Sequence, residues 1–284
     1  MRTSGTSKLG LLIATLLATN TISQWSVEQD ASAQSRRRRP AKGVIAPQLS
    51  LDLRGPNTAL AETAADTLGK SVLPGAMDVL LDGLAMGLHP RVAVKALAAL
   101  AANSGFSANT KSYEIVLFYT HHRNAKVRSV AVSTMGMLKD KRAQATVLAA
   151  LGDQHKSVRA ASATILAKQK NRMAIAPMLK LLKKGDDASG AALASLADAD
   201  LARNIAELIG NAPDGLLART LGAILMRPDF KPEDARVEVV KAIGKIPGND
   251  SLEQLTNYLG AIPEKPPRQS RSEAEAIVEA KLGG

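Results

Sequence analysis

The sequence predicts an all-α protein, an α-solenoid of about five to six stacked helix pairs. Three observations carry that expectation. The chain of 284 residues is 45% apolar but only 2% aromatic, with no cysteine, so its core must be built from Ala and Leu rather than from the aromatic and β-branched residues of a sandwich. Apolar residues recur at the helical period through most of 57–261. The sequence also repeats itself: NAKVRSVAVSTMGML (124–138) aligns with HKSVRAASATILAKQ (155–169), so that Val127 falls on Val158 and Arg128 on Arg159, 31 residues on.

From the N-terminus, Arg2 and Lys8 precede an apolar run from Leu9 to Ala18, and Ala31-Ser32-Ala33 precedes Gln34. That order of charged, apolar and small residues predicts a secretory signal peptide over 1–33 and a periplasmic or secreted product that needs no disulfide. The run is far short of the roughly 20 residues that span a bilayer, so no integral span is expected after its removal. Residues 34–56, with Arg36 to Arg39 and three prolines, read as a basic flexible arm. Leu49, Leu51 and Leu53 alternate with polar residues, but plain linker is the preferred reading.

The solenoid is expected over 57–261. NTALAETAADTLGK (57–70) is an amphipathic helix that can cover the first repeat. Helix pairs follow at 74–87 with 90–103, 111–121 with 124–138, 141–151 with 155–168, 174–184 with 187–196, and 199–209 with 214–227; helices at 232–246 and 250–260 complete the stack. ATVLAAL (145–151) falls on APMLKLL (176–182) at the same offset, so both helices of a unit repeat. Pro177 lies in an early turn, where a missing donor is tolerated. The prolines after Ala261 predict a linker, and SEAEAIVEAKLGG one short terminal helix, within 262–284.

LGDQHKSVRAAS (151–162), with its pattern L-G-D-x-x-x-x-V-R-x-A-A, resembles HEAT repeats of the short, phycobiliprotein-lyase-like kind. The resemblance spans roughly 74–260 and is specific over 111–184. It implies that Asp153 lies in an interhelical turn and pairs with Arg159, or with the equivalent Arg128 of the adjoining unit, in a ladder along the stack. It also implies that Ala160 and Ala161 allow close helix approach while Ile165 and Leu166 fill the seam. His122 stands where Asp153 would be in the preceding unit; the helix at 233–246 keeps Arg236 without the Asp, and its neighbours lack both.

Charge is uneven. Residues 89–184 hold 17 Lys or Arg against Glu114, Asp140 and Asp153, a balance of +14, whereas residues 185–284 hold 11 against 16, or −5. Lys139 and Lys141 recur as Lys170 and Arg172, with Arg142 and Lys168 alongside, and stacking would bring these six onto one edge. His121, His122, Arg123, Lys126, His155 and Lys156 fall on the other. The asymmetry favours an acidic protein partner, or an anionic polymer, on the middle repeats.

Catalytic groups are scarce. The sequence has no Gly-rich phosphate loop, no G-x-S-x-G, no thiol and no plausibly paired buried carboxylates, so no enzymatic activity and no cofactor are expected. His121, His122 and His155 are expected to be surface groups rather than a metal site. HEAT-like DNA glycosylases are an alternative within the resemblance, but they need aromatic residues against the DNA, and Tyr113, Phe118 and Tyr119 are expected in the core. The expectation is a non-enzymatic protein-interaction scaffold of the cell envelope; the alternative is a polyanion-binding module with the same fold.

Overall fold

The computed structural model describes residues 45–73, 75–103, 106 and 112–283. The expected leader (1–33) and residues 34–44 of the arm lie outside the described residues. Contacts divide the chain into two units, and the helical body is the one formed by residues 46–71 and 76–284; of the other unit only residues 45, 72, 73 and 75 are described.

The described residues of the body form helices without strands: α1 (Pro47–Arg54), α2 (Thr58–Lys70), α3 (Ala76–Ala85), α4 (Pro90–Ala102), α5 (Ser112–Thr120), α6 (Ala125–Met135), α7 (Lys141–Ala149), α8 (Lys156–Lys168), α9 (Ile175–Lys183), α10 (Asp187–Leu196), α11 (Ala199–Ala206), α12 (Asp214–Leu225), α13 (Glu233–Lys245), α14 (Asn249–Ala261) and α15 (Gln269–Leu282). Short polar side chains start many of them by holding free amides of the first turn. Asn57 accepts from Ala59 and Leu60, Asn124 from Lys126, Asp140 from Arg142, and Asp198 from Leu201. Among the described residues no helix is long and apolar enough to cross a membrane.

The even-numbered helices from α2 to α14 pack serially on one another as one layer of an α-solenoid. Odd-numbered helices form the second layer, with α1 on α3 and α3 on α5 towards one end, and α11 on α13 and α13 on α15 towards the other. Between the layers lie Leu97, Leu100, Val127, Met135, Leu166, Leu193, Leu217 and Ile224, all essentially solvent-free. Each such side chain contributes about 1.5–3 kcal/mol on burial. Small residues set the helix spacing: a Cβ added to Gly69 of α2 would stand 2.8 Å from the Ala99 Cα of α4, so only glycine permits that approach.

One boundary differs from expectation. The end of the supposed linker is α1: Pro47 occupies its first turn, where the fixed φ suits a helix, and Leu53 is fully buried. Because α1 packs on α2, the stack holds one pair more than the sequence predicts. At the other end the terminal helix docks. The Tyr258 hydroxyl meets the Ser270 hydroxyl at 2.7 Å, Glu233 accepts from the Ser270 amide (2.9 Å) and hydroxyl (2.6 Å), and the Lys281 ammonium donates to the Ile246 carbonyl (3.0 Å). Burial pushes the Glu233 carboxyl up, but these Ser270 bonds outweigh it and leave its pKa lowered.

Candidate interaction edge

Each odd-to-even turn and each even-to-odd loop falls on an opposite edge of the stack. On the turn edge two arginines are paired within the fold, beside Arg123, Lys126 and Lys156, which are exposed and make no ion pair among the described residues. Arg128 of α6 forks onto Asp153, Nε to Oδ2 at 2.8 Å and Nη2 to Oδ1 at 2.9 Å, while its Nη1 donates to the carbonyls of His122 (2.9 Å) and Arg123 (3.1 Å). The guanidinium holds the Asp153 carboxyl well below the usual carboxylate range, aided by the His155 amide, and is itself raised by the pairing.

Arg159 repeats the geometry one unit on but does not pair with the Asp153 carboxylate. It donates from Nη1 to the carbonyls of Asp153 (3.1 Å) and Gln154 (3.0 Å), and its ion pair is with Asp186, 2.8 Å away. Of the two pairings the resemblance implied for Asp153, the inter-unit one with Arg128 forms. Asp186 escaped the sequence reading because the 31-residue register points at Lys184. The α9–α10 turn delays its carboxylate to the cap itself, where Asp186 also accepts from the amide (3.1 Å) and hydroxyl (2.7 Å) of Ser189.

Arg236 is a different device. It lies on odd-numbered α13, in the other layer from α6 and α8, and its Nη1 and Nη2 donate to the carbonyls of Leu225 and Arg227, closing the end of α12. The likeness of 233–246 to the ladder helices is thus one of sequence and not of layer. His89, His122 and His155 also have turn duties, each accepting through Nδ1 from the amide two residues ahead, at 3.4, 3.0 and 3.3 Å.

The loop edge carries the six cations expected to bind. All six are exposed, but they are not equivalent. Arg142 reaches Asp140 at 2.8 Å and Glu114 at 3.1 Å, and its guanidinium lies 4.1 Å from the Tyr113 ring centroid. Arg172 reaches Asp198 at 2.8 Å. These two are neutralised within the fold, which corrects the expectation of a uniform basic edge. Lys139, Lys141, Lys168 and Lys170 make no ion pair among the described residues. Lys170 holds a left-handed backbone (φ 52°) at the close of α8, the conformation that Gly185 (φ 83°) adopts at the close of α9 on the opposite edge.

Sequence reasoning missed three further features here. Arg227 donates to the carbonyls of Ala194 (2.7 Å) and Ala197 (2.8 Å) and pairs with Asp229 at 2.6 Å, so it ties the α10 end to the α12–α13 loop. Lys170, Arg172, Ile175, Leu196, Arg227 and Phe230 line a cleft of about 350 Å³ between these loops, with Asp198 and Asp229 at its side. Met137, Met173 and Met226 are exposed in the loops of this edge. The Asp-x-Arg and Arg-x-Asp spacings at 140–142 and 227–229 were a legible signal of the clamped arginines. Elsewhere Phe118, expected in the core with Tyr113 and Tyr119, is 68% exposed, because its helix turns only the two tyrosines inward.

Residues 115–197 match the family model of HEAT repeats. Over this part the chain is similar to HEAT repeats. The match covers α5 to α10, where the ladder and the loop-edge lysines lie. HEAT repeats thus form a repeat-based helical scaffold here. No curated protein sequence matches the chain. Among solved structures, it is similar to a chain of the CpcE–CpcF complex of phycocyanin lyase from Nostoc sp. PCC7120, at 17% identity and a TM-score of 0.40, covering 86% of this chain and 98% of that one. It is also similar to an engineered protein, at 18% identity and a TM-score of 0.35, covering 84% and 98%. At these scores neither likeness bears on what the HEAT repeats do.

Proposed function

We propose that the protein is a non-enzymatic interaction scaffold of the cell envelope, which holds an acidic protein partner on the loop edge of its HEAT repeats. The carrying observation is the place of four exposed lysines, Lys139, Lys141, Lys168 and Lys170, on the loop edge beside the cleft of about 350 Å³ that Lys170 lines, with the neighbouring Arg142 and Arg172 already clamped. A surface serving solubility alone mixes its signs. Export rests on the charged, apolar and small-residue order of the first 33 residues.

The test is photocrosslinking in the native cell with a benzophenone side chain at Lys141 or Met173, compared with Lys126 or Lys156 on the turn edge. Loop-edge positions are expected to give one discrete protein adduct in the envelope fraction, on a chain beginning near Gln34. Adducts from both edges alike, or none, overturn the reading.

The uneven charge of residues 89–184 supports a second reading, an anionic polymer on the same lysines. Polymer binding releases counterions and so falls steeply with salt. A nucleic-acid or polysaccharide adduct from the loop edge would favour it.

A further inference from the structure

We propose that the cleft beside Lys170 receives an apolar side chain of an acidic, extended peptide segment, whose carboxylates run along Lys168, Lys139 and Lys141. This rests on the loop edge being the binding edge and names what is bound there. The cleft of about 350 Å³ is lined by Ile175, Leu196 and Phe230 together with polar groups, and because Arg172 pairs with Asp198 and Arg227 with Asp229, the cation it leaves without an ion pair among the described residues is Lys170. Such a site takes one large aliphatic or aromatic residue flanked by negative charge, since apolar pockets with a few placed polar groups anchor peptides through single side chains.

Two independent features extend the argument beyond the cleft. Three methionines, Met137, Met173 and Met226, are exposed on this edge, at 51%, 74% and 49%. Unbranched thioether side chains adapt to varied apolar contours and recur on peptide-binding surfaces. Met173 adjoins Arg172 and Met226 adjoins Arg227 in sequence, so both flank cleft-lining residues. Lys170 keeps a left-handed backbone, a conformation that every other positive-φ position among the described residues meets with glycine. Strain of that kind persists where function holds it, and here it falls on a residue that lines the cleft.

An anionic membrane would also meet lysines and methionines. The cleft argues for the peptide, because a bilayer surface cannot fill it.

The experiment measures binding of fluorescein-labelled synthetic peptides to the full mature chain by anisotropy: an Asp/Glu-rich peptide containing Leu and Phe, the same peptide with those residues changed to Ser, poly-glutamate, and phosphatidylglycerol vesicles. Ser195, an exposed residue lining the cleft, is changed to Trp to fill it while leaving every cation in place. The apolar acidic peptide is expected to bind, its Ser counterpart at least tenfold more weakly, and S195W to lose at least tenfold for the first but not for poly-glutamate. K139E/K168E should weaken all acidic ligands. Equal binding of both peptides, or indifference to S195W, overturns the apolar anchor while the loop edge stands. Vesicle binding with no peptide binding overturns it in favour of a membrane. No binding of any acidic ligand overturns it too, and leaves the scaffold reading to stand or fall on the crosslinking pattern.

Discussion

Removing the Arg128 guanidinium tests the ladder at its best-defined rung. Arg128→Ala deletes a bidentate pair with Asp153 and two further donations to the carbonyls of His122 and Arg123. Both side chains are mostly shielded, at 18% and 16% exposed, so the Asp153 charge is left poorly solvated. A charge-assisted hydrogen bond to a shielded group contributes about 1.5–3 kcal/mol, and breaking a fully buried pair costs about 3–5 kcal/mol. The residual exposure places this rung below the second range, at about 2–3 kcal/mol. Arg91, paired with Glu62 at 3.5 Å and 75% exposed, is the control. Its loss should cost under about 1 kcal/mol, as exposed ion pairs do. Guanidinium unfolding of the two variants at neutral pH reads the difference as midpoint shifts. In a double cycle, Arg128→Ala and Asp153→Ala should couple, since each removes the same contact. Equal midpoints for the Arg128 and Arg91 variants would refute the reasoning.

Other outcomes follow from neighbouring groups. The lowered Asp153 pKa means that its stabilisation is complete above the ordinary carboxylate pKa of about 3.9 and is lost as pH falls through the lower folded value; unfolding midpoints of Asp153→Asn should therefore approach wild type in strong acid and lie below it near neutrality. Lys170→Gly should raise stability by about 1 kcal/mol by relieving the left-handed backbone, while weakening capture of the acidic peptide; a loss of stability would contradict the strain assignment. Tyr258→Phe should cost about 1 kcal/mol in thermal unfolding through its buried bond to Ser270, and deleting residues 263–284 should cost more, because the face of α13 beneath Ile277 is then open to water.

Most of the helix pairing was readable because a buried Ala/Leu stripe at the helical period leaves few alternatives. The spans of α4, α8 and α10 match their expected segments within a residue or two. What escaped were features decided by contacts between units. The α1 segment looked like linker since eight residues show barely two turns of pattern, and only packing of Leu53 makes them a helix. Asp186 lay off register by the two residues the turn gained. Arg172 read as a free cation because Asp198, which neutralises it, sits 26 residues away, whereas the clamp of Arg142 by Asp140 was legible in the Asp-x-Arg spacing. The lysines read correctly as exposed, but the cleft between three loops has no linear signature.

The central claim is that the loop edge, not net charge, selects the partner. Charge reversal at Lys139 and Lys168 changes the net charge as much as reversal at Lys126 and Lys156 on the turn edge, and all four are exposed with no ion pair among the described residues. Measured as the affinity of each double variant for the acidic apolar peptide at physiological salt, the account predicts a loss of tenfold or more for K139E/K168E and under twofold for K126E/K156E. Equal losses would contradict it.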